Sequence, residues 1–201
     1  MTVLTESTPT LLGPLAARRS TRAFDPSPLT DDLVTTLVEA ARWAPSAMNR
    51  QPWRFVLGRI GDRTHAQIVA ALAPGNRVWA QHAPLLVVSF ARLRGADPEG
   101  RSDPDVVAAF EVGMAAAHLE VQAQSLGLVS HHMGGFDAAA LSGAVGAEDE
   151  WQALTVLAIG RPGDVAELPE ALRERESAPR TRLPLSDLAF ADAWGAPADL
   201  A

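Results

Sequence analysis

The sequence has no cysteine and no lysine, and it is short of positive charge. With no cysteine in 201 residues, disulfides, thiolate nucleophiles and cysteine-ligated zinc are excluded together. This suits a cytoplasmic protein. All seventeen basic residues are arginine. Codon preference accounts for much of that bias. Even so, any phosphate site here has to be built from guanidinium groups, backbone N–H groups and hydroxyls. The formal charge of -7 argues against bulk nucleic-acid binding, although a local basic patch can sit inside an acidic average. The opening MTVLTESTPTLLGPLAARR has no basic region leading into an apolar run, so no signal peptide is expected. No stretch reads as the ~20 apolar residues of a membrane span. Several chemical signatures are missing too: a G-x-G-x-x-G turn, a P-loop lysine, a G-x-S-x-G elbow, an H-E-x-x-H helix. No pair of carboxylates stands out. That profile suits an enzyme whose cofactor supplies the difficult chemistry.

What is present is a globular composition, 47% hydrophobic, in a chain long enough for one domain over 1–201 with a sizeable core. Residues 10–18 read as a short helix near Pro14, and STRAFDPSP as an extended stretch. Leu33, Val34, Leu37, Val38, Ala41 and Ala44 recur at helical spacing, which predicts a helix over 31–44. Thr30 is positioned to cap it, and Pro45 to stop it. WRFVLGRI, PLLVVSFA (84–91) and WQALTVLAIGRP read as strands. Residues 62–73 read as a helix ending before PGN. The segment 104–126 is the clearest helix, with Asp103 as cap, Pro104 at its first position and Gly127 closing it. Small residues surround it on most sides, so it is expected at the centre of the fold. RLRGADPEGRSDP is a long polar loop. GLVSHHMGGFD reads as a short strand entering a glycine loop, and 137–145 as a short helix. Helices of unequal length between the strands give no regular βαβ period, so an α+β domain with a central sheet is favoured over a doubly wound one. The tail carries Leu183, Leu185, Leu188, Phe190 and Trp194, which must be buried somewhere. A partner subunit is one candidate.

Three stretches suggest binding. RRSTR, Arg18 to Arg22, holds three guanidiniums and two hydroxyls, a donor set suited to phosphate oxygens. Taken alone it reads equally well as a solvated helix end. PRTRLP brings Arg180 and Arg182, which in isolation read as a charged tail. HHMGGFD places two glycines where a backbone could approach a ligand, or where a strand simply turns into a helix capped by Asp137. His131 and His132 are neighbours without a third ligand at a usual spacing, so no metal site is expected. The polar, proline-bracketed stretch WAPSAMNRQPWRF, from Trp43 to Phe55, is far more elaborate than a turn requires.

Taken in order, RRSTRAFDPSPLT, AARWAPSAMNRQPWRF, GNRVWAQHAPLLVV, HHMGGFD and the R-x-R after the last strand resemble the FMN-dependent nitroreductase family over about residues 15–188. The resemblance implies an α+β fold with a central, mainly antiparallel sheet surrounded by helices, in an intertwined homodimer with FMN at the interface. It implies that Arg18, Arg19 and Ser20, with Arg180 and Arg182, bind the phosphate and ribityl chain. Arg22 and Asn76 would lie at the pyrimidine edge of the flavin. Pro45, Ser46, Ala47, Met48, Asn49 and Gln51 would line it from the other subunit. Gly134 and Gly135 would offer N–H groups near N5. Met133 would join them in binding the cofactor and, with His132, would border the substrate, while Trp53 would be structural. Family members often carry Lys where Arg22 stands, and some an acidic residue at Gly134. The implied reaction is ping-pong: NAD(P)H reduces FMN, which then reduces a small acceptor such as a nitroaromatic or quinone. A related flavin chemistry, such as flavin fragmentation or reductive dehalogenation, and a flavin-storing or flavin-sensing protein without turnover remain the alternatives.

Overall fold

A computed structural model describes residues 11–93 and 105–200. The central feature is an all-antiparallel sheet. β5 (Trp151–Pro162) is its spine, and β3 (Leu85–Arg92) runs along it, with β2 (Trp53–Arg59) outside β3. Val156 to Ile159 of β5 pair with both β3 and the short β4 (Val129–Met133), so β4 lies on the other edge. β1 (Phe24–Asp25) joins at the end of β5, opposite Arg161 and Pro162. The α+β class and the sheet therefore agree with the sequence.

Strand alternation divides the core in two. Leu85 and Val87 of β3, with Leu157 and Ile159 of β5, face one layer. That layer is made of α2 (Asp31–Arg42) and α5 (Asp105–Ser125), through Val34, Leu37, Ala41, Val112, Ala115 and Leu119. Leu86, Val88, Phe90, Val156 and Ala158 face the opposite layer. There α3 (Arg63–Ala71), α4 (Pro74–Ala80) and α6 (Ala138–Val145) bury Ile68, Trp79 and Leu141. β3 has apolar neighbours on both faces, which is why its run is continuously hydrophobic.

Local signals explain the helix limits. Thr30 caps α2, its side chain accepting the Leu33 N–H, with Asp31 and Asp32 at the positive end. Asp137 caps α6 in the same way, and Gly146 ends it in the left-handed conformation. As expected, α3 ends before PGN, and α1 (Gly13–Ala17) is the short helix near Pro14. Pro74 then occupies the first position of α4, where its missing N–H costs nothing. The polar stretch after β5 contains a further helix, α7 (Glu170–Ser177). Two expectations need correction. The central helix α5 is not enclosed on most sides. Val106 and Phe110 on one stripe are exposed. Val106–Ser125 is also long and apolar enough to cross a membrane, contrary to the reading that no stretch is, but its inner face packs on α2 and β3. The proposed start of this helix at Asp103 and Pro104, and the polar loop before it, lie outside the described residues.

Candidate functional site

The N-terminal arginine cluster and the C-terminal R-x-R lie side by side. Arg180 donates to the Arg18 carbonyl at 2.7 Å and to the Ala16 carbonyl at 2.6 Å. Arg19 returns the link, donating to the carbonyls of Glu176 at 3.0 Å and Ala178 at 2.6 Å. Segments more than 150 residues apart in sequence are thus laced through guanidinium-to-carbonyl bonds, which concentrates cationic charge at one place. Among the described residues Arg182 donates to the adjacent Thr181 carbonyl, on the exposed tail.

Behind this cluster stand two carboxylates, Glu176 and Glu120, and a third, Glu111, lies further along α5; sequence reading passed over all three. Glu176, on α7, accepts from the Thr21 hydroxyl and from the Arg22 N–H at 3.1 Å, and pairs with the Arg22 guanidinium at 3.6 Å. Glu120, on α5, accepts from Ser130 at 2.8 Å and pairs with Arg18 at 3.5 Å and with the His132 ring at 3.4 Å. Burial works to raise its carboxyl, but His132, Ser130 and Arg18 outweigh it and hold the group below the ordinary carboxylate range. Glu111, nine residues earlier on α5, is buried and accepts the Ala47 N–H at 2.6 Å. The available signal was two glutamates within an otherwise apolar helix, FEVGMAAAHLE, where a charge is expensive unless it has a partner.

β4 connects the clusters. Ser20 bridges to Ser130, and the His131 Nδ1 lies 3.0 Å from the Thr21 carbonyl. Alternation sends the two histidines to opposite faces. His131 packs on the Trp79 ring with centroids 4.6 Å apart. Burial first, and then the nearby Arg22 charge, push its imidazole down to about 4. His132 turns toward α5, with Nδ1 at 3.2 Å from the Thr155 hydroxyl. It borders a hollow of about 320 Å³ that also includes Thr155, Leu154 and Gly113. A larger hollow of about 420 Å³ lies elsewhere, around Trp151 and Ala138, and none of the predicted residues line it. The Met133 side chain falls on the His131 face and is 2% exposed within the core, so only its backbone borders the site.

Beyond Met133 the backbone opens. Asn76 donates to the Gly135 carbonyl at 3.1 Å, and the Ala73 N–H reaches the same oxygen at 2.9 Å. A Cβ on Gly135 would lie 3.0 Å from the Asn76 amide nitrogen. Gly134 is different: a Cβ there would meet nothing within 4 Å, and its φ lies outside the left-handed range. Among the described residues nothing crowds that position.

The loop after α2 has the complexity its sequence suggested. Met48, Asn49 and Gln51 have φ of 51°, 56° and 51°, the left-handed region that side chains other than Asn adopt at a cost. Ser46 closes the loop by accepting the Gln51 N–H at 3.0 Å, and Gln51 donates to the Asn49 carbonyl at 3.3 Å. Pro45, Ala47, Met48 and Asn49 are exposed, whereas Trp53 is buried as expected. The loop is fastened to α5 through Glu111, so α5 holds both groups of residues: the loop at Glu111 and the arginine–histidine cluster at Glu120.

Comparison with known proteins agrees with this arrangement. The Nitroreductase family model matches residues 15–161. A solved oxidoreductase containing FMN shares 35% identity, with a TM-score of 0.86 over 96% of this chain and 98% of that one. A nitroreductase from Desulfovibrio desulfuricans, provisionally named and solved in complex with FMN, superposes with a TM-score of 0.72 at 24% identity over 92% and 99% of the two chains. A Streptomyces coelicolor protein provisionally named as an NADH dehydrogenase/NAD(P)H nitroreductase is 27% identical over 72% of this chain and 79% of its own length. With the antiparallel sheet, the laced arginines and a family match spanning most of the chain, this protein belongs to the nitroreductase family.

Proposed function

We propose that the protein is an FMN-dependent NAD(P)H oxidoreductase that acts as a homodimer on small electron acceptors such as nitroaromatics or quinones. The observation that carries this reading is the cationic cluster, in which Arg180 and Arg19 lace the segment around Arg18 to that around Ala178; Gly134, whose Cβ position is open, leaves room for a ligand near the backbone. The residues present fit FMN. Arg18, Arg19, Ser20, Arg180 and Arg182 provide charge and hydroxyls for a phosphate. Arg22 and Asn76 stand ready for the polar edge of the ring, and the Gly134 and Gly135 N–H groups for its centre. A second copy would contribute Pro45, Ser46, Ala47, Met48, Asn49 and Gln51. When bound, FMN would supply the redox chemistry between NAD(P)H and the acceptor. The chain's part is to hold anionic groups, exclude water with apolar loop residues and leave His132 beside the hollow where an acceptor would rest.

The test is the absorption spectrum of the purified protein, with released cofactor identified by mass, followed by NAD(P)H oxidation with and without an added quinone. Bound FMN and acceptor-dependent oxidation are expected. A colourless protein that takes up no added FMN overturns the reading, and FMN binding without NAD(P)H oxidation turns it into storage or sensing. Gly134→Ala sharpens the test. It should leave thermal stability unchanged, since its Cβ enters open space, while weakening FMN binding by about tenfold, the equivalent of a modest steric clash.

A further inference from the structure

Glu111 has no place in the reading above, yet it is among the most anomalous residues in the molecule. It is 3% exposed, on a helix whose neighbouring buried positions, Ala108, Val112, Ala115 and Ala116, are apolar. One oxygen accepts the Ala47 N–H at 2.6 Å. The other, Oε2, is buried and has no hydrogen-bond partner among the described residues. A carboxylate in that state is costly, and an apolar side chain of similar volume would fill the space without that cost. What the carboxylate provides is a hold on the loop.

The loop needs one. Three non-glycine residues in the left-handed region lie within four positions, at Met48, Asn49 and Gln51. Such conformations persist only where the surroundings over-determine them. Several of the loop's bonds are internal: Asn49 N–H to the Ser46 carbonyl at 3.0 Å, Arg50 N–H to the Ala47 carbonyl at 3.1 Å, and Gln51 N–H to the Ser46 hydroxyl. They shape the loop, and at its far end Arg54 of β2 donates to the Gln51 carbonyl at 3.3 Å. Glu111 fastens its middle to α5.

Resting on the FMN reading, we propose that Glu111 is the positioning residue of the flavin-lining loop: its buried carboxylate, gripping the Ala47 N–H, holds residues 46–51 in the left-handed shape that lines the ring. Glu111 touches neither flavin nor substrate and acts through the loop. The carboxylate is also a stronger acceptor than a neutral amide, so the effect is graded rather than all-or-none.

The test compares wild type with Glu111→Leu and Glu111→Gln, first without flavin and then with it. Without flavin, backbone amide exchange over residues 46–51 should speed up by about tenfold in Glu111→Leu and less in Glu111→Gln, whose carbonyl can still accept the Ala47 N–H. Unchanged exchange in that loop overturns the proposal, whether or not the protein binds FMN. With FMN added, Glu111→Leu should bind it about tenfold more weakly and show an altered visible circular dichroism of the bound flavin, with Glu111→Gln between it and wild type. Faster exchange with unaltered FMN affinity and dichroism overturns the positioning role and leaves only a structural one. A wild-type protein that binds no FMN defeats the functional reading instead, and the exchange result still decides whether Glu111 orders the loop. Should Glu111→Leu fail to fold, the isosteric Glu111→Gln carries the same comparison with smaller expected changes.

Discussion

At the scale of single residues, His131 gives the clearest prediction. Its ring is packed on Trp79 and faces the Thr21 carbonyl, with Arg22 nearby, and its imidazole is pushed down to about 4 from 6.5. Between those values the unfolded chain binds a proton that the folded protein refuses. Stability therefore rises with pH across that interval, is fully present above about 6.5 and is lost as pH falls toward 4. Once solvent screening is allowed for, the loss is on the order of 2 kcal/mol. His131→Asn keeps a donor for the Thr21 carbonyl but does not titrate. Thermal or urea unfolding from pH 7 to pH 4 should show a shallower decline for this variant than for wild type, and parallel curves would mean that His131 is not what senses acid here. Glu120, whose carboxyl is held low, titrates in both proteins and cancels in the comparison.

At the scale of elements, the boundary between what could be read from sequence and what could not is physical. Helix α2 was legible because Val34, Leu37 and Ala41 repeat at helical spacing and Thr30 caps the first turn. Strands β3 and β5 were legible because both faces of β3 are buried, which writes a continuous apolar run. Helix α7 was not: GluAlaLeuArgGluArgGluSer is polar on nearly every side, with no buried residue to mark a face. Helix α4 was hidden because Pro-Gly-Asn is equally a turn and a helix start. The arginine cluster could be located but its lacing could not, since Arg19, Glu176 and Arg180 meet only through the tertiary fold. One close approach fixes where that cluster sits. Gly163 follows β5, and a Cβ on it would lie 2.5 Å from the Phe24 carbonyl carbon. Backbone cannot move aside as a flexible side chain can, so Gly163→Ala should cost roughly 1–3 kcal/mol and shift β1. Because β1 continues directly from Arg18 to Arg22, FMN binding should weaken along with the fall in melting temperature. A variant with unchanged melting temperature would show that the Phe24 segment yields freely.

For the whole molecule, the exposed surface is the informative part. Val106 and Phe110, one helical turn apart on α5, are 73% and 67% exposed, and Gly113 and Ala117 extend the same stripe. Trp43 and Met48 at the adjoining loop are also exposed, as are Leu183, Leu185, Leu188 and Trp194 on the tail. Exposed large apolar groups in such number are what a contact surface between chains would cover. Under the proposed function a second copy of the chain would cover the stripe, the tail and the loop, and the loop would then line the neighbouring subunit's flavin. Assembly and cofactor binding should consequently fail together. Phe110→Glu places a charge at the centre of the stripe, on an exposed side chain that is not itself one of the site residues. The wild type should migrate at twice the 21.3 kDa of one chain in light scattering coupled to gel filtration, and Phe110→Glu at the mass of a single chain. Its FMN affinity should drop by at least about tenfold, since each ring would lose the contacts from the opposite loop. A monomeric Phe110→Glu that binds FMN as tightly as wild type would mean that the arginine cluster, His132 and the two glycines make a complete site within one chain. The left-handed loop would then need a purpose other than lining the flavin.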